Sequence, residues 1–412
     1  MTSRTSLEPT TSSTGRTWLI FAGIILIAIN LRAAITSVGP LIGIIREDTG
    51  ISSTMAGMLT TLPLLAFALL SPMAPAMAKK WGLETTLLLS MVVLTFGIGI
   101  RSISSPITLL LGTAFLGMAI AVGNVLLPSL VKRDFPRHIG LMTGTYSASM
   151  NLLAAIASGV SIPLATQAGL GWQGSLLIWA SLSVLALIVW LIQRSSSDKT
   201  AEVRSTAAKQ KSVLRSPLAW YITLFMGLQS FTFYVNISWL PEILRSQGMD
   251  YSAAGWMLSI LQFVSLPFSF IIPVLAGRNP NQRVLVTISA LSMLTGYVGL
   301  LSGMSSLNLL WVMLVGISGG ANFSLSLMFF TLRTKTAHEA AALSGMAQSL
   351  GYLLAAIGPM LIGFLHDATD GWKVPLMVLS AVVVVLFFFG FGAAKPGYTS
   401  ASGESTPKME KP

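Results

Sequence analysis

Leu152-Leu153-Ala154-Ala155-Ile156 returns 201 residues later as Leu353-Leu354-Ala355-Ala356-Ile357, and the fold follows from that return. Around the two copies, Gly144 corresponds to Gly345, Trp172 to Trp372, Asn124 to Asn322, Pro40 to Pro241, Gly57 to Gly255 and Pro75 to Pro273. Apolar segments draw on a small alphabet, so single identities carry little weight. Ordered matches across six consecutive hydrophobic stretches mark an internal repeat. Between the copies, Ser195 to Lys211 is rich in Ser and charge and cannot bury enough apolar surface to fold alone. Two halves related by an axis along the membrane normal suit rocking around a central site.

Composition sets the class. With 53% hydrophobic residues, 9% charged residues and a mean hydropathy of +0.76, the chain reads as a polytopic membrane protein. The stretches fall at about 17–45, 52–78, 83–103, 106–132, 138–165, 172–193, 216–244, 252–276, 283–303, 307–332, 338–365 and 372–393. They are continuous apolar runs without the ten-residue alternation of a barrel, so the fold class is all-α, with twelve transmembrane helices in two six-helix bundles. The expected division is a disordered cytoplasmic tail, 1–15, an N-terminal bundle, 16–194, a cytoplasmic linker, 195–211, a C-terminal bundle, 212–393, and a disordered cytoplasmic tail, 394–412. The segment Met1 to Gly15 is polar and is expected not to be a cleavable signal.

Lysine and arginine orient the chain. With both termini in the cytoplasm, twenty of the 25 basic residues lie inside, while Arg46, Arg101, Arg245 and Lys373 lie outside and Arg32 lies within the bilayer. This pattern explains the formal charge of +11 without nucleic acid, and the protein is expected in an inner membrane, in contact with lipid and as a monomer.

Arg32 is the one formally charged side chain in the middle of a span. A guanidinium there costs about 2.5 to 3.5 kcal/mol on insertion scales, so it needs a reason. Two remain open from sequence: pairing with carbonyls or helix ends, or attraction of an anion in a transport pathway. Arg32 and Thr36 share a face of the first helix. Ser147 and Asn151 share a face of the fifth, and the repeat carries them to Gln348 and Tyr352 on the eleventh. Gln229, Thr232 or Phe233, and Asn236 form a stripe on the seventh, with Trp239 near its end. Asn124 and Asn322 are repeat-related amides deep in the fourth and tenth helices, where hydrocarbon obliges them to face protein or water. Tyr146, beside Ser147, and Gln262, on the eighth helix, complete the expected substrate-binding set. An anion or flat ring could rest on the aromatic faces while Arg32 supplies charge and the amides donate hydrogen bonds.

The twelve spans, central basic loop and parallel repeats look like the major facilitator superfamily. Within it, Asn30-Leu31-Arg32-Ala33-Ala34-Ile35-Thr36-Ser37-Val38-Gly39-Pro40-Leu41, Thr60-Thr61-Leu62-Pro63-Leu64-Leu65-Ala66-Phe67 and Gly123-Asn124-Val125-Leu126-Leu127-Pro128 resemble the bacterial cyanate and 2-nitroimidazole transporter family. The resemblance implies the major facilitator fold and a small cargo moved by alternating access. In that superfamily the loop after the second span usually carries an acid that latches the inward face. Here the loop reads Pro75-Ala76-Met77-Ala78-Lys79-Lys80-Trp81-Gly82, with Lys79 at the acidic position. Lys79, Lys80 and Gly82, with Arg278 in the second-half counterpart, are the expected gating residues. Closure must then use other contacts, among them lipid phosphates.

The fourteen acids all lie in tails, loops or span ends, and His138 and His338 sit at helix starts. A proton relay wants an ionisable group in the pathway. Its absence favours facilitated diffusion, exchange or a proton carried by the substrate, with proton coupling, as symport or antiport, the remaining alternative. The chain has no cysteine, no GxxxxGK loop, no clustered histidines and no mid-membrane carboxylate pair, so no enzyme activity, cofactor or metal is expected. The expected function is secondary transport of a small polar or anionic compound, or a polar aromatic. A sugar, peptide or metal cation fits less well. The alternatives are export of toxic compounds by the same fold, or a transporter-like receptor or sensor.

Overall fold

A computed structural model describes residues 12–51, 53–195, 213 and 215–399. Most of the expected linker, 195–211, lies outside the described residues, as do 1–11 and 400–412 of the tails. The first span comprises Ser12–Thr36, a 3-10 turn at Gly39–Leu41 and Ile42–Thr49; the second, Ser53–Leu70 and Ala74–Trp81. Leu83–Arg101, Pro106–Asp134 and Ile139–Thr166 are the third to fifth, and Gly171–Leu177 with Ala180–Ser195 the sixth. The second half runs Pro217–Ser246, Tyr251–Arg278, Arg283–Leu301, Asn308–Leu332, Ala337–Thr369 and Lys373–Ala393, the seventh to twelfth spans. Eleven of these are long and apolar enough to cross a membrane, and Met58–Leu70 with Ala74–Trp81, bent by 57°, supplies the twelfth.

Three expected continuous helices, the first, second and sixth spans, are therefore interrupted, the first two at prolines. Pro40 sits in the first turn of the 3-10 segment and Pro75 in the first turn of Ala74–Trp81. Proline has no N–H to give an uninterrupted ladder, so a new helix starts more readily there than an old one passes through. Both tails are also shorter than expected. The first helix already runs at Ser12, and the segment 394–399 is anchored at its ends: Ala394 and Thr399 are buried, 395–398 are exposed, and the Thr399 amide donates to the Arg333 carbonyl at 2.8 Å.

Packing repeats with the sequence. In the first half the first span packs on the fifth and sixth, the fourth on the second and third, and the third on the sixth. In the second half the seventh packs on the eleventh and twelfth, the tenth on the eighth and ninth, and the ninth on the twelfth. Each contact in one bundle thus has its counterpart in the other. The two bundles meet along two seams that are themselves counterparts, fifth against eighth and eleventh against second.

Glycine makes the seams close. A Cβ on Gly144 would lie 2.7 Å from the Phe270 carbonyl oxygen of the eighth span, and one on Gly345 would lie 2.7 Å from that of Ser71 in the second. Only hydrogen leaves room for the backbones to approach so nearly. The same end of the molecule, the basic end, carries Lys79, Lys80, Lys132, Arg133, Arg278 and Arg333. There Lys132, at the end of the fourth span, donates from Nζ to the carbonyls of Thr331, in the last turn of the tenth, and Thr334, just beyond it, each at 2.6 Å.

Arg101, counted on the outer side, is buried rather than solvated. It closes the third helix with 1% of its surface exposed, and its Nη2 donates to Ser37 Oγ at 3.4 Å.

Candidate functional site

Arg32 projects from the first span into the space between the bundles. Its Cζ lies 5.0 Å from the ring centroid of Phe233, on the seventh span, and 4.7 Å from that of Phe323, on the tenth. Opposed ring faces offer their negative quadrupoles to the cation. Among the described residues the Arg32 guanidinium makes no ion pair and no hydrogen bond, to carbonyls or otherwise. Of the two sequence readings, pairing with carbonyls is thereby set aside. Five donors remain for a ligand.

Around the guanidinium is a narrow cavity of about 30 Å³, lined by Asn151, Phe233, Leu261, Gln262, Ser265, Gly319, Gly320 and Phe323. It draws on the first and fifth spans of one half and the seventh, eighth and tenth of the other, so any movement between halves changes it. In this conformation it has room for roughly one water-sized group. Asn151 holds the seam beside it, donating from Nδ2 to Ser269 Oγ of the eighth span at 2.8 Å.

Four of the expected residues, Arg32, Asn151, Phe233 and Gln262, thus come together. The others are placed elsewhere in the helix contacts. Thr36 Oγ1 donates to the carbonyls of Arg32 and Ala154, both at 3.1 Å, fastening the first span to the fifth. Ser147 is fully buried and donates to the Thr143 carbonyl, and Tyr146 is buried beside it. Gln229 donates to Ser230 Oγ at 2.7 Å; Asn236 accepts from the Tyr297 hydroxyl at 3.1 Å; and Trp239 donates to the Pro359 carbonyl at 2.8 Å. Asn322 is buried in a serine network, accepting from Ser289 at 2.8 Å and donating to Ser318 at 3.0 Å. Gln348 donates to the Asn124 carbonyl at 3.0 Å across the halves, while the Asn124 side chain is half-buried. Tyr352 packs its ring 4.9 Å from that of Phe67, across the second seam.

Of the expected gating residues, Lys79, Lys80 and Arg278 are exposed at the basic end, and Gly82 ends the second span with φ of 86°. Lys80 lies over the Trp81 ring at 5.7 Å.

Leu261, Ser265, Gly319, Gly320 and Phe323 were missed from sequence. Gly319 and Phe323 are four residues apart and so share a helix face, a signal available in the tenth span. Asn322 drew attention instead, and neighbouring residues on a helix point about 100° apart.

A description of the Major Facilitator Superfamily fits residues 20–359. The chain belongs to that superfamily. It is 49% identical to the "Uncharacterized transporter YycB" of Bacillus subtilis (strain 168) over 385 residues, covering 92% of this chain and 94% of that one. It is 43% identical to the "2-nitroimidazole transporter" of Escherichia coli (strain K12) over 386 residues, covering 93% and 98%. The resemblance seen in the first spans therefore extends along nearly the whole chain. Among solved structures, the proton:xylose symporter XylE bound to 6-bromo-6-deoxy-D-glucose superposes with a TM-score of 0.71 at 13% identity, over 91% of this chain and 94% of that one. At that identity the likeness bears on the fold alone, which is the twelve-helix major facilitator fold in two bundles.

Proposed function

We propose that the protein is a secondary transporter that carries a small polar or anionic compound across the bacterial inner membrane by alternating access, with Arg32 as the group that receives the cargo. The observation that carries this reading is the guanidinium held between Phe233 and Phe323 with its donors free, at the meeting of the two halves. A cation without a carboxylate partner selects negative charge, and its planar fork matches two acceptor atoms at once. The name of the 43% identical relative supports a nitroimidazole-like cargo, and that of a 25% identical one, a cyanate transport protein of Escherichia coli (strain K12), supports a cyanate-like one. Asn151 and Gln262 supply the amides that orient it.

Residues 16–194 and 212–393 act as the two rocking units, and the basic end faces the cytoplasm, where the excess of Lys and Arg belongs. Both termini then lie inside. Closure at that end rests on the seams at Gly144 and Gly345 and on Lys132, in place of the acid absent after the second span. Cargo movement needs no mid-membrane carboxylate, so transport runs by facilitated diffusion, by exchange or with a proton carried on the substrate.

Flux into proteoliposomes tests the reading, using cyanate, nitrite and 2-nitroimidazole with and without pH and sodium gradients. Saturable flux of one of these is expected. Equilibrium binding with no flux of any would make the protein a receptor, and specific transport of a divalent cation would overturn the assignment of charge.

A further inference from the structure

A second cavity opens at the basic end, remote from Arg32. It encloses about 450 Å³ between the turn after the eighth span, the turn after the tenth and the packed C-terminal segment, with Arg278, Asn279, Gln282, Arg333, Gly397 and Tyr398 on its walls. No acid lines it. Arg278 is exposed and makes no hydrogen bond or ion pair among the described residues. Arg333 is 4% exposed, and its Nε and Nη2 donate to the carbonyls of Ala393 and Ala394 and to Gln282 Oε1. Among the described residues its Nη1 has no partner and no carboxylate pairs with its charge. Burial lowers this guanidinium from its ordinary value to about 10, so it stays protonated at neutral pH as an uncompensated cation. Lys335 adds a third positive group, 5.5 Å from the Tyr398 ring at the rim.

We propose that this cavity binds a phosphate-type oxyanion, supplied either by the headgroup of an anionic phospholipid or by a free phosphate. Such a group would take one oxygen to Arg333 and another to Arg278, and Tyr398 could donate its hydroxyl. The volume admits a headgroup or a small phosphate. The site is separate from the Arg32 cavity and does not depend on what that cavity carries.

The test is thermal unfolding of the full chain in two arms. One arm adds inorganic phosphate to detergent-solubilised protein. The other compares nanodiscs of phosphatidylglycerol with nanodiscs of phosphatidylcholine. Saturable stabilisation is expected in at least one arm, and which arm responds names the source: phosphatidylglycerol alone for lipid, phosphate for a soluble anion. Arg278→Gln should weaken the apparent affinity about tenfold, the loss of one charged hydrogen bond. Arg278→Lys should recover part of it, and Lys373→Gln, at the opposite end, should match the wild type. Because Arg278 is exposed and holds no helix end, its variants are expected to fold. Stabilisation in neither arm, or stabilisation unchanged in Arg278→Gln, would overturn the proposal.

Discussion

Lys132 Nζ lies 2.6 Å from the carbonyl oxygen of Thr331, so an ammonium from one half caps a helix end in the other. The unpaired carbonyls of a C-terminal turn carry partial negative charge, and a cation is the partner they favour. Lys132→Met should release this contact and shift the population toward a conformation open at the basic end. A hydrogen bond to a charged group contributes about 1.5 to 3 kcal/mol, so the shift should be on the order of tenfold or more. The chain has no cysteine, so thiol labelling at Ser344→Cys reads it directly. Unchanged labelling would remove Lys132 from the gate.

Arg32→Gln should abolish binding of an anionic cargo while leaving a folded, monodisperse protein, because no hydrogen bond of the guanidinium is lost. Arg32→Lys should restore charge and only part of the affinity, since lysine offers a compact hydrated charge where arginine offers a fork. Isothermal titration on both variants decides the point. Wild-type affinity in both would make Arg32 structural.

Phe323→Leu should weaken cargo affinity by about 0.5 to 2 kcal/mol, the range for loss of a ring face beneath a cation. Phe233→Leu should do the same. A double-mutant cycle of either with Arg32→Lys should show coupling, since the rings act by holding the guanidinium. Additive effects would mean the rings touch only the cargo.

Gly345→Ala should slow transport far more than it weakens binding. Its methyl would meet the Ser71 carbonyl oxygen at 2.7 Å, and a backbone atom cannot swing aside as a side-chain end can. Gly144→Ala should act alike at the other seam. Flux and equilibrium binding measured on the same preparation separate the two effects, and full flux in both variants would show that closure tolerates a wider gap.

The fold was legible because its signal is redundant: hydropathy, charge bias and the repeat each point to two bundles of six, and Leu152 to Ile156 alone supplies the offset. The breaks in the first and second spans were less so. Pro40 and Pro75 were visible, but proline marks a kink and a new helix start alike, and the turn between depends on neighbours. At the site, Arg32 stood out because charge in hydrocarbon is rare. Phe233 was found through its stripe, whereas Phe323 was hidden among many phenylalanines. Buried amides were a poorer guide. Asn236 and Asn322 satisfy Tyr297, Ser289 and Ser318 within one half, and a sequence does not reveal whether an amide's partner is a neighbour or a ligand. Lys132 was grouped with Lys79, Lys80 and Arg278, with which it shares one end of the molecule, but nothing hinted at its partners, because backbone acceptors have no side-chain signature.

That last property limits how the gate can vary. Where a carboxylate receives the cation, either partner can be altered by substitution. Here the receiving half is the peptide group of Thr331 and Thr334, present whatever side chain those positions bear. Adjustment of closure by mutation is therefore one-sided, confined to position 132 and to changes that reshape the end of the tenth helix, and a library varied at residues 331 and 334 would leave the acceptor in place.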